Sequence, residues 1–308
     1  MLAVCAPGQG SQFSGMLKQW TSDSADKAML KNFSNLLELD LEEIGYNYSD
    51  VDIRKTDLAQ VLIVVNSIIS FNALGDHLKT RNKTVYAGHS VGEIAAGFFS
   101  GVYSIESALK LVRKRGTSMA KAASESSETG MSAILGGSRD EVVNYLIQFN
   151  LSAANINSDG QIVAAGKLSD LAKLQENPLT GTRVRPLDVA AAFHTDYMKS
   201  ARIELEDFVK TMEIFEPKKD VLSNFDGQKV SSGNDLVNKL VQQITSPVRW
   251  DLCQESFVSM GVTGMLELAP GSTLCGIAKR QIPNIETFAF KSPDDLSEAI
   301  KFINKHTD

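Results

Sequence analysis

Between residues 84 and 99 a short apolar run ends in Gly88-His89-Ser90-Val91-Gly92 and passes at once into a helical pattern. No other stretch constrains the fold as much, because a strand that turns into a helix within five residues belongs to a sheet with helices packed on its faces. Residues 84–87 read as the strand, residues 93–99 as the helix, and Gly101 as its end. The small residues around Ser90 permit a sharp bend that lifts its hydroxyl above the sheet, next to a helix N-terminus that favours developing negative charge. Such a nucleophile elbow competes with a plainer reading, a Gly-rich turn in which Ser90 is only an N-cap.

The rest of the chain extends this alternation. Residues 2–6 read as a buried strand ending in a loop with Pro7, Gly8 and Gly10, and apolar residues from Leu58 to Ile69 recur at helical spacing in a helix taken to run to residue 79. A further helix opens at Ser104 and runs through Ala122. The polar run SESSETG, residues 124–130, reads as a boundary or hinge. Beyond it the pattern is strand (131–135), helix (139–149), two strands around Ser158-Asp159-Gly160 (151–165), helix (169–176) and strand (184–189). That order, β-α-β-β-α-β, is ferredoxin-like. After His194 long helices return, with a strand at 265–268 and a helix at 273–279. The expected fold is α/β: a discontinuous large α/β-hydrolase-like domain with a parallel sheet core (1–124 and 191–308) and a small ferredoxin-like insert (125–190).

Composition narrows the function. A formal charge of -6 over 308 residues lacks the dominating basic surface that nucleic acid or an anionic membrane would need. The longest apolar stretch, 61–71, is broken by Asn66 and Ser67 and is too short to span a bilayer, and the opening MLAVCAPGQG has no basic segment of a signal peptide. Cys5, Cys253 and Cys275 lie far apart without a Cys-x-x-Cys pair, so neither a disulfide framework nor a zinc site is expected. A cytoplasmic protein without metal or cofactor is the expectation.

A nucleophilic serine needs a base, and the chain offers only His77, His89, His194 and His306. His89 adjoins the serine and leaves the elbow in another direction, His77 sits at a solvated helix end beside Asp76 and Lys79, and His306 is in the tail. His194 follows a strand and the small residues Ala190-Ala191-Ala192, then Phe193, which leave room for a ligand; without an elbow serine it would read as an ordinary loop histidine. Spacing picks out no acid to orient the imidazole. The loop Gly8-Gln9-Gly10-Ser11-Gln12 lacks a dinucleotide fingerprint or P-loop lysine and makes better sense as one wall of an oxyanion hole, with the Val91 N–H as the other. Arg113-Lys114-Arg115 cannot all face one way on a helix. A charge run is usually a solvated face, yet Met119 shares the Arg115 side with Leu111 and makes it look buried, and an arginine there needs an anion.

Five motifs in order resemble the malonyl-CoA:acyl carrier protein transacylases of fatty acid synthesis and the related acyltransferase domains of polyketide synthases: PGQGSQ (7–12), GHSVGE (88–93), KRGTSM (114–119), AAFHTDYM (191–198) and ELAPGSTLCGIAKR (267–280). The resemblance covers nearly the whole chain. It implies that Ser90 attacks a thioester, His194 takes the proton, and Arg115 pairs with the free carboxylate of malonate. It further implies oxyanion N–H donors from Gln9 and Val91, and a main-chain carbonyl of Gln243 that steers the imidazole. Phe193 is similar to the malonyl-selective version of its segment, Asn157 matches a position near the pocket, and Met119 joins the substrate-binding set. Malonyl-CoA and a holo acyl carrier protein are the implied partners, and a free-standing chain of this length points to fatty acid synthesis by a monomer. Two positions depart from the pattern: Ala269 stands where glycine is usual, and Val61 follows Gln60 where proline is usual. A serine thioesterase or hydrolase, or a silent carrier-docking module, are the competing readings.

Overall fold

Alternate side chains of the first strand leave in opposite directions, and both directions are apolar. Leu2, Val4 and Ala6 enter one hydrophobic cluster while Ala3 and Cys5 enter another. A strand buried on both faces is the mark of a central strand in a parallel sheet covered by helices. The computed structural model describes residues 1–21, 24–126 and 128–307. Ser127, inside the polar run read as a boundary, and Asp308, the last residue of the expected large domain, lie outside the described residues. The strands are β1 (Leu2–Ala6), β2 (Thr84–Gly88), β3 (Thr129–Leu135), β4 (Ser152–Ser158), β5 (Gln161–Lys167), β6 (Arg183–Pro186), β7 (Asp220–Val221), β8 (Val248–Arg249), β9 (Gly264–Glu267) and β10 (Glu286–Ala289).

The first sheet has the order β10-β9-β1-β2-β7, and every pairing in it is parallel. Leu2 to Ala6 run in register with Thr84 to Gly88, so the loop after β1 and the elbow after β2 emerge side by side at the carboxyl edge. That edge is where open α/β sheets bind ligands. The second sheet, β6-β3-β5-β4-β8, is antiparallel over its first four strands in the ferredoxin order. Val248–Arg249, which the sequence division assigns to the large unit, adds a fifth strand parallel to β4. One face of this sheet closes on its own helices through Ile134, Val142, Leu146, Ile162 and Leu171. Met131, Val163 and Ala165 join the main cluster instead.

Several expectations shift at the edges. The polar run 124–130 is mostly regular structure, since helix Ile105–Glu125 runs into it and β3 begins at Thr129. The helix expected to reach residue 79 stops at Leu74, where Gly75 takes a positive φ, and a separate turn Asp76–Lys79 follows. The last ferredoxin-like strand ends at Pro186 rather than Val189. Leu187, Asp188 and Val189 instead line a cavity. The apolar run 61–71 lies inside the 19-residue helix Thr56–Leu74, long and apolar enough to cross a membrane, but 83% of its most apolar window is buried in protein. It is the core helix between the large sheet and helix Ile105–Glu125, with Val61, Leu62, Val64, Val65 and Ile68 in the main cluster.

At the elbow two glycines are dictated by contact. A Cβ on Gly88 would lie 2.0 Å from the Gly92 carbonyl carbon, and one on Gly92 would lie 2.4 Å from the Ala6 carbonyl oxygen. Both obstacles are backbone and cannot rotate away. Gly88→Ala is expected to cost about 3 kcal/mol or more, read as a lower denaturation midpoint; a midpoint equal to that of the native sequence would show that the bend is not so tight.

Candidate active site

Ser90 stands at the bend with φ 53°, a left-handed conformation rare for a residue with a side chain. It is held there by hydrogen bonds at the elbow: its N–H donates to Asn224 Oδ1 at 3.3 Å, and Asn224 Nδ2 donates to the Gly88 carbonyl. Asn224 lies just beyond β7, the strand beside β2. The bend aims Ser90 Oγ at His194 Nε2, 2.8 Å away. His194 also has a positive φ, 60°, and its Nδ1 lies 2.8 Å from the main-chain oxygen of Gln243. A carbonyl can only accept, so Nδ1 carries the proton and Nε2 presents its lone pair to the serine hydroxyl. The tautomer required of a general base is therefore set by the backbone, with no acid in contact among the described residues.

Arg115 reaches the same point from helix Ile105–Glu125. It is 1% exposed. Nη1 donates to Gln60 Oε1 at 2.7 Å, and Nη2 donates to Gln243 Oε1 at 3.1 Å and to Ser90 Oγ at 3.3 Å. Nε has no partner among the described residues. No carboxylate among the described residues touches the guanidinium; its neighbours are neutral amides and the serine hydroxyl, so an anion placed beside Ser90 would meet a cation with unused hydrogen-bonding capacity. Arg113 and Lys114, by contrast, are partly exposed and turn to Asp57 at 3.8 Å and Glu204 at 2.7 Å.

Ser90, His194 and Arg115 line a cavity of about 240 Å³ together with Gln9, Gln60, Met119, Met131, Phe193 and Val189. Across its mouth Arg54 and Asp188 form an ion pair. The main-chain N–H groups of Gln9 and Val91 donate to no protein group among the described residues. Asn157 does not line this cavity. Its Oδ1 is bonded to His89 Nε2 at 2.8 Å, and it borders an adjoining cavity of about 230 Å³ that shares Gln9, Gly10, His89, Asn155 and Leu187 with the first. The His89 ring, packed edge-on to Trp250, thus leaves the elbow away from the serine. His77 is exposed. His306 is not a free tail: it is 7% exposed and bonded through Nδ1 to Thr263 at 2.9 Å, far along the chain from the site.

Three polar residues that sequence reasoning did not single out complete the site: Gln60, Asn224 and Glu93. Glu93 is fully buried, and its carboxylate accepts from Ser223 Oγ at 2.7 Å, Asn224 N at 3.2 Å, Asn224 Nδ2 at 2.6 Å and Gln243 Nε2 at 2.7 Å. Its signal was available, since Glu93 is the only charged residue in the otherwise apolar helix Gly92–Ser100. Asn224 carries no such mark.

Burial, then the Arg115 charge, pulls the His194 imidazole down to about 3, against the favourable bond to Gln243. Burial likewise lowers Arg115 to about 10, with Glu93 opposing, so the guanidinium stays charged at neutral pH. The neutral imidazole is the active form of a base, and activity is lost only as pH falls through its depressed value. The acid limb of kcat/KM for attack by Ser90 is therefore expected well below the ordinary imidazole value of about 6.5. In Arg115→Ala it should move upward, because a nearby positive charge has gone; a limb that stays put would contradict the electrostatic coupling.

The acyl transferase domain family matches residues 4–290, a span that includes every residue lining the site and both sheets apart from the first two residues of β1. The chain belongs to the acyl transferase family. Within it, this acyl transferase is 42% identical to the malonyl CoA-acyl carrier protein transacylase of Mycobacterium bovis, over 97% of this chain and 99% of that one. The crystal structure of MCAT from Mycobacterium tuberculosis matches the acyl transferase fold with a TM-score of 0.93 at 42% identity, covering 97% of this chain and 99% of that chain. A malonyl-transacylase in complex with its holo type II PKS acyl-carrier protein matches with a TM-score of 0.90 at 27% identity, again over 97% and 99%.

Proposed function

We propose that the protein transfers a malonyl group from malonyl-CoA to the phosphopantetheine thiol of a holo acyl carrier protein, in fatty acid synthesis, through an ester on Ser90. The observation that carries this reading is the meeting of three groups: Ser90 Oγ lies 2.8 Å from His194 Nε2 and 3.3 Å from Arg115 Nη2. A nucleophile, its base and a buried cation with spare donors select an acyl group bearing its own negative charge.

In the first half-reaction Ser90 Oγ attacks the thioester carbonyl as its proton passes to His194 Nε2. The tetrahedral oxyanion accepts the Gln9 and Val91 N–H groups, which have no other protein partner among the described residues. Collapse breaks the C–S bond, and coenzyme A leaves with the proton from His194. In the second half-reaction His194 takes the proton of the carrier thiol, the sulfur attacks the ester carbonyl, and Ser90 departs with the proton returned. The imidazolium formed in each step stays bonded to the Gln243 carbonyl. Arg115 holds the malonyl carboxylate, while Met119 and Phe193 supply the apolar walls.

The proposed chemistry calls on side chains and main chain alone, with no cofactor, and is carried out by a monomer. The three cysteines are free and buried, which suits the reducing cytoplasm. Incubation with malonyl-CoA, with and without a holo acyl carrier protein, tests the reading. Malonyl-carrier should form when the carrier is present. Repeated release of coenzyme A without carrier would identify a hydrolase instead, and no acyl loading at all would identify a silent docking module.

A further inference from the structure

Arg115 is a buried cation with no anion in contact among the described residues, yet a buried carboxylate lies one side chain away. Gln243 stands between them, its Oε1 accepting from Arg115 Nη2 at 3.1 Å and its Nε2 donating to Glu93 Oε2 at 2.7 Å. The orientation of that amide is fixed from both ends. Its two amide protons face two acceptors, Glu93 Oε2 and Asn224 Oδ1, the latter at 2.7 Å, so its oxygen must face the guanidinium. The other groups around Glu93 are the Ser223 hydroxyl and the Asn224 N–H and amide, all donating to the carboxylate. Among the described residues no charged group touches it, and the Asp226 charge acts on it from further off, against its ionisation.

We propose that Glu93 is the counter-charge of Arg115, held one carboxamide away by Gln243, and that its distance sets how strongly Arg115 demands a carboxylate on the acyl group. The inference rests on the reading of Arg115 as the malonyl clasp. A carboxylate in direct contact would quench the guanidinium and leave nothing for substrate. With no carboxylate nearby, Arg115 would be an uncompensated buried charge, costly before substrate arrives. The interposed amide gives a middle value: the side of Arg115 facing Ser90 is left open, and the cation is still partly balanced. Glu93 is thus a positioning residue that acts through Gln243. The two charges sense each other, each favouring the ionised form of the other. Burial works against the carboxylate and pushes it up to about 7, so its charge is most complete above neutral pH.

Glu93→Gln separates charge from geometry. The glutamine oxygen can keep the bonds from Asn224 and Gln243, while its NH2 donates to Ser223 Oγ, whose hydroxyl also accepts. Without Glu93 a malonyl carboxylate no longer meets a negative charge behind Arg115, whereas an acetyl group is indifferent. A unit charge acting across a few hydrogen bonds at an effective dielectric of about 20 changes such an equilibrium by roughly tenfold. At about pH 8 the variant is expected to show a KM for malonyl-CoA lower by roughly tenfold and a malonyl-to-acetyl ratio of kcat/KM higher by a similar factor. Glu93→Asp retains the charge and should retain the native ratio even where its rate falls.

The Arg115→Met background separates the two ideas. If Arg115→Met leaves the malonyl-to-acetyl ratio unchanged, the clasp reading itself is wrong. If Arg115→Met collapses the ratio but Glu93→Gln leaves it unchanged or lowers it, the counter-charge is wrong and the clasp stands. Stability gives a second measure should Glu93→Gln fold poorly: the double variant, lacking both charges, is expected to melt higher than Glu93→Gln alone. A double variant no more stable than that single variant would overturn the pairing.

Discussion

His194→Ala is expected to lower malonyl transfer by at least about a thousandfold, with the loss divided between acyl loading and discharge to the carrier thiol. General base catalysis by a positioned side chain contributes about 10² to 10⁴ in rate, and here the imidazole serves twice, for the Ser90 hydroxyl and for the incoming thiol. No substitute base is in contact among the described residues: the other histidine at the elbow, His89, is turned to Asn157, and the carboxylate of Glu93 is buried behind Gln243 and Asn224. The discharge step should suffer less, since a thiol ionises more readily than an alcohol. Rapid-quench measurement of each half-reaction checks this. Equal survival of loading in the variant would mean that the 2.8 Å contact to Ser90 is structural.

Arg115→Ala is the second large effect, and its signature is selectivity. Removing one partner of a buried, hydrogen-bonded charge pair costs about 2 to 5 kcal/mol, which corresponds to roughly 30- to 5000-fold in kcat/KM. That loss applies to malonyl transfer. An acetyl group never used the guanidinium, and in the native protein it leaves a buried cation unpaired, so acetyl transfer should fall little or rise. Gln60 and Gln243 lose a donor in the variant; Gln60 borders the cavity and can be reached by water, whereas the fully buried Gln243 keeps its bonds to Glu93 and Asn224. Competition assays with malonyl-CoA and acetyl-CoA read the ratio directly. Parallel losses for both acyl groups would remove Arg115 from substrate recognition.

The parts of this site that the sequence announces are those where local chemistry forces the residue choice. The elbow is legible because a strand and a helix can meet within five residues only around small residues, and the structure shows backbone within 2.0 Å of a Cβ on Gly88. His194 emerges by elimination among four histidines. The ferredoxin-like order follows from alternating strand and helix periodicity; the helix expected over 139–149 ends at Ile147, and the last strand is overextended because Leu187 and Val189 are apolar for a cavity rather than for a sheet. The helix break at Gly75 falls where apolar spacing gives no warning. Gln60, Asn224 and the side chain of Gln243 were not legible as a set. Their roles arise from tertiary hydrogen bonds across separations of 19 to 150 residues, which leave no local pattern. Asn157 shows the converse: it stands outside the cavity that holds Ser90, bonded to His89 and bordering the neighbouring cavity.

Intact-protein mass measurement after brief exposure to malonyl-CoA, followed by peptide mapping, tests the covalent step on which the whole mechanism depends. The native protein should gain one malonyl group on the peptide that contains Ser90, and addition of holo acyl carrier protein should remove it. Ser90→Ala should gain nothing. A malonyl adduct that persists in Ser90→Ala, or malonyl-carrier formed by the native protein with no adduct at Ser90, would contradict the account.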